Sequence, residues 1–113
     1  MKKKASEIYS NKMTYKVNCA QSVAIAANHK IPQEDGYIES LSAFGGGRAH
    51  DNMCGALYAA KEIAKKVNPE KADLIIAEFV KEVGSYKCKE IRSERKISCL
   101  KCVEIAAGAL EQI

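Results

Sequence analysis

Tryptophan is absent from this 113-residue chain, and proline, phenylalanine and histidine occur twice each. Two histidines leave little besides cysteine for the chain to do chemistry with, and no Ser–His–Asp set or paired-carboxylate motif is present. No apolar run approaches the length of a membrane span, and no membrane partner is expected. The basic start, Met1-Lys-Lys-Lys4, leads into polar residues rather than the apolar stretch of a secretory signal. The expectation is therefore a cytoplasmic, reducing location. No stretch of four or more residues alternates as a half-buried strand does, and there is no internal repeat or low-complexity tract. Gly45-Gly46-Gly47-Arg48 could hold an anion on its backbone amides but lacks the Gly-Lys-Ser/Thr ending of a P-loop. Nucleic-acid binding has a basic segment in its favour but no helix-turn-helix or aromatic stacking motif, so no nucleic-acid partner is expected.

What is present is sulfur. Five cysteines, Cys19, Cys54, Cys88, Cys99 and Cys102, make an odd number, which in a reducing compartment suits metal ligands or redox thiols better than a disulfide framework. Each falls at or near a predicted helix start, where amide N–H groups and the helix dipole favour a thiolate. From Lys87 to Cys102 the chain has six cationic residues against Glu90 and Glu94, equal to the whole net charge of +4. Such a segment lowers thiol pKa and offsets the charge of bound thiolates; it also suits an ordinary solvated loop.

Helical periodicity dominates, and it predicts one all-α domain over residues 1–113, a single compact bundle of about five to six short helices. The first covers 4–15, with Ile8 and Tyr9 inward. The second starts near Cys19, buries Val23, Ala24 and Ala27, and ends by Pro32. A third spans 33–43, burying Ile38 and Leu41, before the triple glycine breaks the chain. A fourth runs from Met53 to Val67 with Asp51 or Asn52 as N-cap, presenting Leu57, Ala60, Ile63, Ala64 and Val67 as one stripe. Asn68-Pro69 opens a fifth, to Val83, that buries Leu74, Ile75, Phe79 and Val80. After a short segment at 88–92, a last helix begins at Ser98 or Cys99 and runs toward the C-terminus.

Cys99 and Cys102, separated by two residues, share one helix face. That spacing serves zinc, a cluster or dithiol exchange, although a thioredoxin-like arrangement would need a strand before the helix. A zinc ribbon would want a second close pair, whereas Cys19, Cys54 and Cys88 are widely separated. Gly55, after Cys54, leaves room for a cofactor or a second backbone; a Cys-Gly-Ala run equally serves small-residue packing. His29 and His50 are candidate further ligands or proton carriers, and a solvated loop position suits either as well.

The order of the cysteines and the words around them resemble the C_GCAxxG_C_C family of small redox-active proteins. The matching phrases are Asn18-Cys19-Ala20-Gln21-Ser22-Val23, Phe44-Gly45-Gly46-Gly47, the box Cys54-Gly55-Ala56-Leu57-Tyr58-Ala59, Gly84-Ser85-Tyr86-Lys87-Cys88 and Lys101-Cys102-Val103-Glu104. Two departures stand out. Ala59 replaces the second glycine of the box, which implies slightly looser packing there, and Cys99 is a cysteine beyond the pattern. The resemblance implies a redox-active or metal-binding site at Cys19, Cys54, Cys88 and Cys102, with Cys99 as alternate ligand or resolving thiol. The site is expected to bind an iron–sulfur cluster or to cycle between dithiol and disulfide with a redox partner protein. The alternative is a non-enzymatic zinc-binding structural or sensor module using the same cysteines.

Overall fold

Alanine-rich helices pack closely because few side-chain atoms separate their backbones, and this chain uses that device throughout its centre. The computed structural model describes residues 2–11, 17–28, 30–33, 36–44, 52–94 and 97–111. Among them are seven α-helices: α1 (Lys2–Ser10), α2 (Cys19–Ala27), α3 (Tyr37–Ser40), α4 (Gly55–Val67), α5 (Pro69–Val83), α6 (Cys88–Ser93) and α7 (Cys99–Glu111). A 3₁₀ turn, Leu41–Phe44, follows α3. No strand occurs among the described residues beyond one isolated antiparallel bridge between Met53 and Lys87. The protein is all-α, with one helix more than the sequence pattern predicts.

Helix α4 is the axis of the fold. It buries Gly55, Ala56, Leu57, Ala59, Ala60, Ile63 and Ala64 and packs against α2, α5 and α7. Helix α1 closes the far side, lying on α2 and α7 with Ala5 and Ile8 buried. The largest fully buried side chains are Phe79, Leu41, Leu57, Ile63, Ile91 and Leu110, each contributing roughly 1.5–3 kcal/mol through burial. Ala59 is itself fully buried, so its methyl group is accommodated inside the core. Among the described residues no helix is long and apolar enough to cross a membrane.

Several predicted boundaries are corrected by local chemistry. Helix α1 covers Lys2–Ser10, and the Asn11 side chain donates back to the Glu7 carbonyl (2.8 Å) just after it; residues 12–15 of the predicted first helix lie outside the described residues. Among the described residues of the predicted helix over 33–43, only the four-residue α3 and the 3₁₀ turn are helical, and Gly36 sits at φ 82°, outside helical space. Helix α4 starts at Gly55, not Met53: Asn52 has φ 60°, and Met53 is held in the bridge to Lys87. Asn52 is thus not its N-cap, a place taken by Cys54; Asp51 lies outside the described residues. Val67 and Leu74, expected inside, are each 55% exposed: Val67 is the last residue of α4, and Leu74 lies on the opposite side of α5 from the buried Ala72, Ile75, Phe79 and Val83. Ile38, Tyr9 and Val80 are half-buried. The segment at 88–92 is a helix in its own right, α6.

Candidate functional site: five thiols at converging helix starts

The phrase around Cys19 is a capping device. The Asn18 side chain accepts from the Gln21 amide (2.8 Å), while the Gln21 side chain accepts from the Asn18 amide (3.0 Å), closing a capping box. The same two side chains donate outward. Asn18 Nδ2 reaches the Leu41 and Ser42 carbonyls (3.0 and 3.1 Å), and Gln21 Nε2 reaches that of Ile38 (3.2 Å). Ser22, fully buried, donates its hydroxyl to the Asn18 carbonyl at 2.9 Å. Cys19 is thereby fixed as the first residue of α2, and the 36–44 segment is tied to it.

Cys54 and Cys88 are positioned by one short pairing of loops. The Cys54 amide donates to the Tyr86 carbonyl (2.8 Å), next to the Met53–Lys87 bridge. Upstream of Cys88, Gly84 takes the left-handed conformation that ends α5 (φ 94°). Buried Ser85 donates to the Glu90 carboxylate and accepts from the Lys87 amide (3.1 Å), so the turn enters α6 with Cys88 as its first residue. Helix α7 starts similarly. The Ser98 hydroxyl accepts from the Lys101 amide, and the Ser98 carbonyl accepts from the Cys102 amide, each at 3.1 Å. Cys99 and Cys102 consequently lie one turn apart on one face.

All five cysteines line a single cavity, together with Gly55 and Ile91. Cys19, Cys54, Cys88 and Cys102 are buried, Cys99 is half-buried, and all five are thiols. The space between them is about 10 Å³, close to the least that holds one water. The starts of three long helices, α2, α4 and α7, therefore meet around a nest of sulfur.

The electrostatics at Cys54 differ from the expectation of a stabilised thiolate. A hydrogen bond with the Cys102 thiol, then burial, then repulsion from Cys102 push the Cys54 pKa well above its ordinary value. The Leu57 and Ala56 amides pull the other way and lose. The hydrogen bond with Cys102 and burial thus favour the protonated form of Cys54.

Donor chemistry and donor spacing give different answers for a metal. Five thiols suit soft ions or a cluster. Yet among the described residues no three His, Cys, Asp or Glu side chains are arranged to hold a metal ion. A cavity the size of one water does not accommodate an iron–sulfur cluster unless the surrounding helix starts part. His29, His50 and the Gly45–Arg48 loop lie outside the described residues, as do Arg95 and Lys96 of the basic segment. Sequence reasoning missed Ile91, which walls the cavity from α6, because the segment around it was not read as a helix.

A helical domain that buries cysteines from four separate helix starts in one cavity defines a class of small thiol-site proteins. Within it, residues 17–113 match the family described as "Putative redox-active protein (C_GCAxxG_C_C)". The chain belongs to that family. No curated protein and no solved structure matches it.

Proposed function

We propose that the protein is a thiol–disulfide redox carrier whose working pair is Cys54 and Cys102. The single observation that carries this reading is the thiol–thiol contact between them, inside a cavity walled by the other three cysteines. Oxidation joins the two Sγ atoms and releases two protons and two electrons; the electrons reduce a disulfide of the partner to two thiols. The raised Cys54 pKa bears on direction. A couple is strongly oxidising when its reduced form is stabilised as a thiolate, and Cys54 lacks that stabilisation, which favours a reducing couple.

A second reading has its own supporting observation, the presence of five sulfurs on one cavity wall. In it Cys19, Cys54, Cys88 and Cys102, with Cys99 in reserve, move together onto zinc or part to admit an iron–sulfur cluster. One experiment separates the two. The protein is purified without oxygen, its metal, sulfide and thiol content and visible spectrum are measured, and the disulfides formed on oxidation are mapped by mass spectrometry. A metal-free protein with a reversible Cys54–Cys102 disulfide supports the carrier. Stoichiometric zinc or iron that is lost in Cys54→Ala replaces it with the metal reading.

A further inference from the structure

We propose that Cys99 is the sulfur that meets the partner, and that it relays oxidation to Cys102 and then to Cys54. This rests on the dithiol reading above and adds its route. Disulfide exchange needs the attacking sulfur to approach the disulfide along its S–S axis, which a partner cannot offer to a buried thiol. Cys19, Cys54, Cys88 and Cys102 are all buried, whereas Cys99 is half-buried and still lines the cavity. Its neighbours Ser98 and Lys101 are exposed. Cys99 therefore occupies the mouth of the site.

The way inward is set by helix geometry. Cys99 and Cys102 are three residues apart in the first turn of α7, which puts their Cα atoms about 5 Å apart in a regular helix. That lies within the usual span of a disulfide, roughly 4.4–6.8 Å. Cys102 in turn touches Cys54. The three sulfurs form a path from solvent to the core.

The steps balance. The Cys99 thiol loses its proton to solvent and attacks the partner disulfide, forming a mixed disulfide and releasing one partner thiolate, which takes up a proton. Cys102, losing its proton, attacks the Cys99 sulfur, releasing the second partner thiolate and leaving a Cys99–Cys102 disulfide. Cys54 then attacks the Cys102 sulfur, handing its proton to the departing Cys99. Two protein thiols have become one disulfide, one partner disulfide has become two thiols, and Cys99 is regenerated. The cysteine outside the family pattern is thus the exchange point rather than a spare ligand.

The test uses the reduced full-length protein and glutathione disulfide, with acid quenching and peptide mapping. Wild type should end with Cys54–Cys102 joined and two glutathione thiols released. Cys102→Ser should stop with glutathione on Cys99, and Cys54→Ser should stop with Cys99 joined to Cys102. Cys99→Ser should oxidise at least about tenfold more slowly, the factor imposed by a local opening of only about 1.4 kcal/mol. Oxidation of Cys99→Ser at the wild-type rate, or glutathione on another cysteine in Cys102→Ser, overturns the relay and leaves the dithiol reading intact. A wild-type protein that forms no internal disulfide overturns both.

Discussion

Replacing Asn18 by alanine removes three hydrogen bonds with one side chain, and their separate environments allow the cost to be worked out. The acceptor Oδ1 closes the cap of α2 on the Gln21 amide, a contribution of about 1 kcal/mol. Loss of that contact also weakens the reciprocal bond from the Asn18 amide to Gln21. The donor Nδ2 holds the Leu41 and Ser42 carbonyls. The first bond is partly buried and is worth about 1 kcal/mol net, and the second is exposed and worth less. The expected loss is about 2–3 kcal/mol. With a urea slope of about 1.5 kcal/mol per molar for a domain of this size, the unfolding midpoint falls by about 1.5–2 M. Asn18→Asp keeps the cap acceptor but turns an oxygen toward the two carbonyls, so it should fall between wild type and alanine. Because Cys19 is the first residue of α2, its alkylation should quicken as that turn frays in Asn18→Ala. A loss below about 0.5 kcal/mol with unchanged Cys19 reactivity would falsify the claim that this phrase anchors the site.

Further outcomes are expected at Cys54, Tyr37 and Phe79. In Cys102→Ala the Cys54 pKa should drop, since the Cys102 hydrogen bond is the largest cause of its elevation, while burial keeps it above the ordinary value; pH-dependent alkylation reads the midpoint. Because the folded-state pKa of Cys54 is raised, its contribution to stability is fully present below the unfolded-chain value and is lost as pH rises through the folded value. The wild-type urea midpoint should therefore fall more steeply than that of Cys54→Ala above a pH of about 8.5. Tyr37, whose pKa is pushed up to about 12 by burial, then by Glu62 and Tyr58, should be late to ionise in an ultraviolet titration, and Tyr37→Phe should remove that late step. The Tyr37 hydroxyl is buried with no hydrogen-bond partner among the described residues while its ring lies under Lys66 Nζ (3.6 Å), so Tyr37→Phe should also be neutral or stabilising by up to about 1 kcal/mol. Phe79→Ala should cost about 3–5 kcal/mol in chemical denaturation, since Phe79 is wholly buried.

Local rules identified the parts of this protein whose causes are local. Asn68-Pro69 and Gly84 bound α5 as read, because cap chemistry involves only neighbours along the chain. The start of α7 at Cys99 likewise follows from Ser98 as its cap. The start of α4 did not follow from such rules. Asp51 and Asn52 are good capping residues, yet Asn52 is left-handed and Met53 is held by Lys87, 34 positions away in sequence. That long-range pairing moves Cys54 from the first turn to the cap position. Leu74 and Val67 show the same limit from the packing side: their apolar character is legible, but whether a neighbour covers them depends on where the other helices pass.

The sequence by itself determined an all-α domain, the cysteines as the chemical resource, and a helix start near most of them. Those are matters of residue type and of spacing along one helix. Only the tertiary structure decided that all five sulfurs line one small cavity, that Cys54 lies against Cys102, and that Cys99 is half-buried while the other four are buried. It also opposes the expected thiolate at Cys54, whose pKa is raised. The helix start favours a thiolate, as local rules state, but burial and the neighbouring thiol outweigh it. Desolvation depends on what the rest of the chain packs against a group, and no spacing along the sequence encodes that.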